Sequence, residues 1–312
     1  ISLNGTNTFH MKVIIAGGTG FIGGAIISAL VKRGDAVVLL TRTPAAAQQR
    51  WGKEVDARLW NARDPGPWVL TLDGADAVIN LVGANVGDGR WTPERKLILI
   101  KSRLDATRVL CSAMAAAVKR PGVLINASAV GYYGTSRRGD CPEDAPQGSD
   151  FLAALCGQWE REALAAEKLG VRVVLSRFGV VLDPGQGALA KMLPPFRYGL
   201  GGRLGSGRQP FAWIHRDDAV ASVLFLIESS LGGAVNITAP DAKTNAAFSK
   251  ALGRALRRPA LIPVPAFALR LALGEMSGML LGGQRAVPKK LLDAGYAFSH
   301  PELDAALRDV LR

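Results

Sequence analysis

One stretch near the start, Lys12 to Gly23 (KVIIAGGTGFIG), limits what this chain can fold into more than any other. Lys12 to Ala16 reads as a short buried strand, and Phe21 to Arg33 as a helix closed by Gly34. Between them Gly17, Gly20 and Gly23 are spaced G-x-x-G-x-x-G. In such a turn the first glycine permits the tight bend and the second lets the backbone approach a pyrophosphate. The third lets the helix pack on the strand. The unpaired N–H groups of the first helical turn then face the anion. The strand–turn–helix context gives the motif its force. It predicts dinucleotide contacts from Gly17, Thr19, Gly20, Phe21, Ile22 and Gly23.

The pattern continues as a parallel sheet would require. Ala36 to Leu40, Val55 to Trp60, Ala75 to Leu81, Gly122 to Ala127 and Val171 to Phe178 read as further strands. Such continuous apolar runs, separated by helical stretches, belong to a sheet covered on both faces. After Trp91, Thr92 can cap a helix, Pro93 suits its first position and Glu94 its positive end. Leu97, Ile100, Leu104, Thr107, Cys111, Met114 and Val118 form its predicted core stripe. Beyond Leu182 come a loop with five glycines between Gly199 and Gly207, and a strand at Phe211 to His215. A helix from Asp217, a strand at Ala234 to Ile237, a helix after Thr244 and small helices from Pro265 follow. The fold expected is α/β, a Rossmann-type doubly wound parallel sheet with a smaller C-terminal substrate lobe. Residues 11–182 form the dinucleotide domain, completed by parts of 211–240, and 183–312 the substrate lobe and helical end.

Composition narrows the partners. The net charge of +12 comes from scattered basic residues without interleaved aromatics, which argues against nucleic acid. It fits a field that favours anionic ligands: a phosphorylated cofactor and a small, acidic substrate. Cys111, Cys141 and Cys156 are far apart and odd in number, and only three histidines exist, so no metal is expected. Reduced thiols point to the cytoplasm. Ile1 to His10 read as a leader remnant before a natural start at Met11. Leu261 to Gly283 is apolar but broken by Pro263, Pro265, Arg270 and Glu275, so no membrane span is expected.

The residues after the second strand select the cofactor. An acidic side chain there would bind the ribose 2′-hydroxyl, but Thr41-Arg42-Thr43 stands in its place. An arginine fork suits a 2′-phosphate, which predicts NADP(H) over NAD(H) with Thr41 and Arg42 as contacts. Leu81, Val82 and Gly83, and Ala127 and Ser128, lie at strand carboxyl ends, where open α/β sheets bind ligands.

Together the glycine turn, NLVGA (Asn80 to Ala84), ASAVGYYG (Ala127 to Gly134) and FAWIHRDDA (Phe211 to Ala219) resemble the extended short-chain dehydrogenase/reductase superfamily. RWTPERK, FLAALCGQWE, GGRLGSGRQPFAWIHRDD and GQRAVPKKLLDAGYAF are similar to a bacterial NAD(P)-dependent epimerase-like family with a small C-terminal helical domain and unassigned substrate. The resemblance covers nearly everything from Met11. It implies an NADP-binding Rossmann domain and a C-terminal substrate lobe. The superfamily uses a Tyr and, four residues later, a Lys that lowers the phenol's pKa. Here Leu152 and Cys156 stand at those positions. The expected function is an NADP(H)-dependent oxidoreductase or epimerase-like enzyme. The alternative is a non-catalytic NADP(H)-binding sensor or interaction protein.

The candidates for chemistry each carry a plainer alternative. Ser128 can orient a substrate carbonyl or cap backbone groups. Tyr132 or Tyr133 can supply the missing phenol or pack the loop. Cys156 can act as a nucleophile or weak acid if its pKa is lowered, or be a small helix residue beside the cofactor. Arg177 lies on the stretch that runs along the nicotinamide in the superfamily and counts as a cofactor contact; pairing with Glu160 is its alternative. Arg203 and Arg208 can bind an acidic substrate from the glycine-rich loop, or the loop is a mobile connection. His215 can be a general base, though a structural role fits its motif better.

Overall fold

A computed structural model describes residues 10–135 and 139–312, so the reading of a leader concerns residues that, His10 apart, lie outside the described chain. The chain runs β1 (Lys12–Ala16), α1 (Phe21–Arg33), β2 (Ala36–Thr41), α2 (Pro44–Trp51), β3 (Val55–Leu59), β4 (Ala77–Asn80) and α3 (Pro93–Ala116). Next come β5 (Val123–Ala129), β6 (Asp140–Cys141), α4 (Phe151–Leu164), β7 (Arg172–Phe178), β8 (Val180–Leu182) and α5 (Gly187–Arg197). They are followed by β9 (Pro210–Phe211), β10 (Trp213–His215), α6 (Arg216–Glu228), β11 (Gly233–Ile237), β12 (Lys243–Thr244) and α7 (Asn245–Leu256). The end holds α8 (Ala266–Leu273), α9 (Gly278–Leu281), β13 (Arg285–Ala286), α10 (Lys289–Asp293) and α11 (Leu303–Val310).

Seven strands form the main sheet in the order β11-β7-β5-β4-β1-β2-β3. All its pairings are parallel. Alternate side chains of β1 divide the core. Val13 and Ile15 pack with Ile26 and Leu30 of α1 and Val223 and Leu226 of α6. Ile14 and Ala16 face the opposite side, with Leu110 and Met114 of α3. This two-sided burial is why the strands read as unbroken apolar runs. The chain reverses direction across the sheet between β1 and β4. The carboxyl end of β1 is therefore a topological switch point, the place such sheets offer a ligand.

Helix α3 follows its predicted start: Thr92 Oγ1 accepts from Arg95 N at 3.2 Å. Its stripe needs correction. Thr107, Cys111 and Met114 are buried, but Leu97 is 51% exposed and Val118, beyond the helix end, is 95% exposed. In the first turns Leu99 is the buried residue in place of Leu97, and the main run of buried residues begins only at Ala106. The glycine-rich loop at 199–207 also differs from a mobile connection. Its backbone bonds to the C-terminal lobe through Gly205 N to Val264 O (2.8 Å), Val264 N to Arg203 O (2.9 Å) and Ala246 N to Gly207 O (2.9 Å). Its glycines are needed for contact: a Cβ on Gly202 would stand 2.1 Å from Ile262 O.

Among the described residues, no helix is long and apolar enough to cross a membrane.

Candidate functional site

The glycine turn is built by backbone packing. Gly17 has φ +81°, and a Cβ there would meet the Leu81 carbonyl carbon at 2.8 Å. A Cβ on Gly23 would stand 2.5 Å from Gly17 O and 2.7 Å from Gly18 Cα. Gly20 is different: it is exposed, and its nearest atom would be Gly17 O at 3.3 Å. Gly20 is also the N-cap of α1 and brings no side-chain oxygen to the helix start. The first N–H groups of the helix thus lack a capping side chain, and no acidic residue occupies the first turn. That end is left electrostatically open to an anion.

Leu81 N donates to Ala16 O at 2.9 Å, which brings the end of β4 beside the turn. Thr41 is buried at the end of β2, where its Oγ1 accepts from Thr43 N at 3.2 Å. Arg42 is exposed next to it, and its guanidinium has no bond to any described residue. Val82 is half-buried and Gly83 exposed, while Ala127 is buried. The bare edge of Gly83 is covered by a residue the sequence reading overlooked. A Cβ there would stand 2.8 Å from Arg103 Cζ, so the guanidinium of Arg103 lies flat on this glycine.

Beneath the strand ends lies a buried polar layer. Asn80 Nδ2 donates to Asn126 Oδ1 (2.7 Å) and to Thr107 Oγ1 (2.9 Å), and Trp159 Nε1 donates to the same Thr107 oxygen (2.9 Å). Beside it, Arg177 grips Glu160 with both arms of its fork, Nε to Oε1 and Nη2 to Oε2, each at 2.8 Å. Its Nη1 donates to Tyr133 Oη (2.9 Å) and Glu143 O (3.0 Å). Ser128 Oγ donates to Glu160 Oε1 at 2.6 Å. Tyr133 Oη donates onward to Asn236 Oδ1 at 2.8 Å.

This network changes several expectations. Arg177 is 3% exposed and its nitrogens are engaged, so pairing with Glu160 replaces its reading as a cofactor contact. Tyr133 is 1% exposed, and burial pushes its phenol up to about 12. Its hydroxyl serves Asn236 and Arg177, and it is removed from the proton-donor candidates. Ser128 is buried with its proton pointed at Glu160, so toward a ligand its hydroxyl is left as an acceptor. Tyr132 remains half-buried, with its ring 3.5 Å from Arg177 Cζ and edge-on to Tyr133.

Cys156 is also corrected as a nucleophile. Burial, followed by the charge of Glu160, raises its pKa to about 11, which keeps the thiol neutral. With Leu152 it forms the contact face for Gly131, where a Cβ would stand 3.3 Å from Leu152 Cβ and 3.9 Å from Cys156 Sγ. Cys111 is held near 11 in the same way, by burial and then Glu162. Treatment of the native protein with iodoacetamide at neutral pH is expected to leave Cys111 and Cys156 unmodified, whereas unfolded protein labels fully. Fast native labelling of Cys156, read by peptide mass, would restore the reactive-cysteine reading.

His215 is structural. It is 2% exposed, and its Nδ1 accepts from Asp217 N at 3.1 Å as the cap of α6. Its ring stacks on His300 at 3.8 Å. His215, His300 and Asp309 bring ligand atoms within 4.8 Å of one another. With Nδ1 accepting, however, the neutral ring carries its proton on Nε2, the atom a metal would need. Buried Asp218 holds the C-terminal segment by accepting from Ser299 N and His300 N, both at 2.8 Å. Arg203 and Arg208 are exposed on the loop of the C-terminal lobe; Arg203 Nη1 reaches Ser206 O at 3.5 Å.

Sheet order, glycine turn and the open start of α1 define a Rossmann-type nucleotide-binding fold. The chain belongs to the NAD dependent epimerase/dehydratase family, whose sequence pattern matches residues 13–238. Residues 264–310 match a domain of unknown function (DUF1731). It is 42% identical over 300 residues to the Epimerase family protein ML0860 of Mycobacterium leprae, covering 95% of this chain and 94% of that one. It is 41% identical over 307 residues to the Epimerase family protein SDR39U1 of Mus musculus, covering 96% and 100%. The crystal structure of human epimerase family protein SDR39U1 (isoform 2) with NADPH superposes with a TM-score of 0.85 at 36% identity, covering 96% of this chain and 99% of that one. A UDP-galactose 4-epimerase at 18% identity and a TM-score of 0.72 shares the fold.

Proposed function

We propose that the protein binds NADP(H) at the glycine turn and acts as an oxidoreductase or epimerase-like enzyme on a small, acidic substrate. The observation that carries this is the uncapped start of α1 beside an exposed Arg42 that has no ion-pair partner among the described residues. The turn would hold the pyrophosphate through the N–H groups of Phe21, Ile22 and Gly23, and Arg42 a 2′-phosphate. A relative of 36% identity was crystallised with NADPH, which supports the same choice. When bound, the cofactor supplies hydride exchange with a carbonyl or carbinol. The residues of this chain would orient the reactants: Ala127 and Ser128 lie at the carboxyl end of β5, and the parts of residues 183–312 outside the sheet would supply the substrate side.

The proton must come from Tyr132, from the substrate itself or from water. Leu152 and Cys156 occupy the places of the usual Tyr and Lys, and Tyr133 is committed elsewhere. The neutral Cys156 is the observation behind a second reading, a non-catalytic NADP(H)-binding sensor. Buried thiols support the assignment to the cytoplasm. Oxidation of NADPH with a panel of acidic and neutral carbonyl compounds tests the enzyme. No turnover on the whole panel, with tight NADPH binding and a partner whose affinity depends on it, would favour the sensor.

The cofactor choice has its own test. Arg42→Ala is expected to weaken NADPH by about 10- to 100-fold, the worth of a charge-assisted bond, and to leave NADH unchanged. Equal losses for both cofactors in titrations of nicotinamide fluorescence would refute the role of Arg42.

A further inference from the structure

Two arginines on α3 are unexplained by the reading so far. Arg103 is drawn in against Gly83, with its guanidinium also 5.1 Å from the centre of the Trp159 ring. Its Nη1 donates to Leu99 O at 3.0 Å, but Nε and Nη2 bond to no described residue, and no carboxylate pairs with it. Arg95, two turns earlier, donates through Nη2 to Asn85 O at 2.5 Å. Its Nε is shielded from solvent and has no hydrogen-bond partner among the described residues. The two are within electrostatic reach of each other. Burial, opposed by Cys156 and aided by Arg95, holds the guanidinium of Arg103 below its ordinary pKa.

This arrangement costs free energy in the empty protein. A charge partly withdrawn from water is normally paired, and the solvent-shielded Nε of Arg95 adds a desolvation penalty. Nearby basic groups are already answered: Lys96 pairs with Glu275 at 2.6 Å, and Lys191 with Asp88 at 3.1 Å. Arg177, deeper still, has Glu160. Neither Arg95 nor Arg103 has a carboxylate partner among the described residues, and their contacts to Asn85 O and Gly83 place both beyond the carboxyl end of β4, on the ligand side of the sheet.

We infer that Arg95 and Arg103 form an anion-binding pair for an acidic group that enters over Gly83, either a phosphate of the dinucleotide or a carboxylate or phosphate of the substrate. The inference deepens the proposed function and rests on its placement of the ligand cleft. It moves substrate recognition from the lobe arginines, Arg203 and Arg208, to the sheet side of the cleft. It also gives Gly83 a reason of its own, since any side chain there would displace the guanidinium.

The test uses the full chain and the variants Arg103→Met, Arg103→Lys and Arg95→Met. The readouts are NADPH affinity and thermal midpoint, the latter alone and with malonate or inorganic phosphate added to NADPH-saturated protein. Replacing an unpaired inward cation by an apolar side chain of similar length is expected to hold or raise the midpoint of the empty protein. If the anion is a cofactor phosphate, Arg103→Met weakens NADPH about tenfold or more, the scale of one charged contact. If it is the substrate's acid group, NADPH binds as in wild type, and the stabilisation by malonate or phosphate is lost. Arg103→Lys retains part of either effect. Ligand shifts that survive in both Met variants overturn the inference, as does a midpoint drop in the empty protein with ligand binding intact, which marks a structural role. Failure of the wild type to bind NADPH would sink the proposed function, while malonate and phosphate added to the cofactor-free protein would still decide the fate of the pair: a stabilisation lost in both Met variants supports it, and none in the wild type overturns it.

Discussion

Glu160→Ala is expected to destabilise the protein by about 3–5 kcal/mol, because it strands a buried cation. Arg177 is nearly inaccessible, and both arms of its fork end on Glu160. Removing the carboxylate leaves the guanidinium without counter-charge and takes the acceptor from Ser128 as well. Solvent screening offers little relief, since the Arg177 and Glu160 side chains are only 4% and 6% exposed. The loss measures the charge left behind, and it differs from the net worth of the intact pair. The double variant Glu160→Ala/Arg177→Met is therefore expected to recover part of the stability, because both charges are then gone. Urea unfolding of the three variants checks this. A loss below about 1 kcal/mol in the single variant, as for a solvent-exposed pair, would overturn the account.

Alanine at two glycines of one motif is expected to give opposite kinds of failure. A Cβ on Gly23 meets backbone at 2.5 and 2.7 Å, and backbone cannot rotate away. Gly23→Ala must separate α1 from the turn. It is expected to lose several kcal/mol of stability, on the order of an overpacked core site, together with NADPH binding. At Gly20 the closest atom is 3.3 Å away and φ is −76°, which alanine adopts freely. Gly20→Ala is expected to keep the stability within about 1 kcal/mol, since alanine is only a somewhat poorer N-cap. NADPH affinity is expected to fall by about 100-fold or more, because the methyl group takes the space of the pyrophosphate. Thermal melts and fluorescence titrations separate the two. Full NADPH affinity in Gly20→Ala would remove the pyrophosphate from this turn.

The contrast between these glycines shows how the candidate site could be read. Spacing alone marked the three glycines. It did not distinguish the one that serves packing from the one that leaves room for a ligand. Arg42 was legible because it follows β2 directly, where local chain order determines which side chain stands at the ligand edge. The polar layer was not legible as a layer. Asn80, Thr107, Asn126 and Trp159 come from four separate segments, and only the β4–β5 register and the docking of α3 and α4 bring them together.

Lone residues were the least legible. Ser128, Tyr133 and Cys156 all carry groups that can do chemistry, and nothing local says which way a hydroxyl points or whether a thiol is wet. Burial decided each: Glu160 takes the proton of Ser128, Asn236 and Arg177 take the hydroxyl of Tyr133, and desolvation neutralises Cys156. Arg95 and Arg103 gave no signal beyond a spacing of eight on a helix, which solvated arginines share.

By itself, then, the sequence determined the sheet, its two-sided burial, the glycine turn and the arginine after β2. Each depends on short-range periodicity and backbone sterics within a few residues. Only the tertiary structure decided which polar groups are spent on one another and which are left for a ligand. That choice depends on charges and desolvation summed over segments far apart in the chain, as at Arg177, answered by Glu160, and Arg103, answered by none of the described carboxylates.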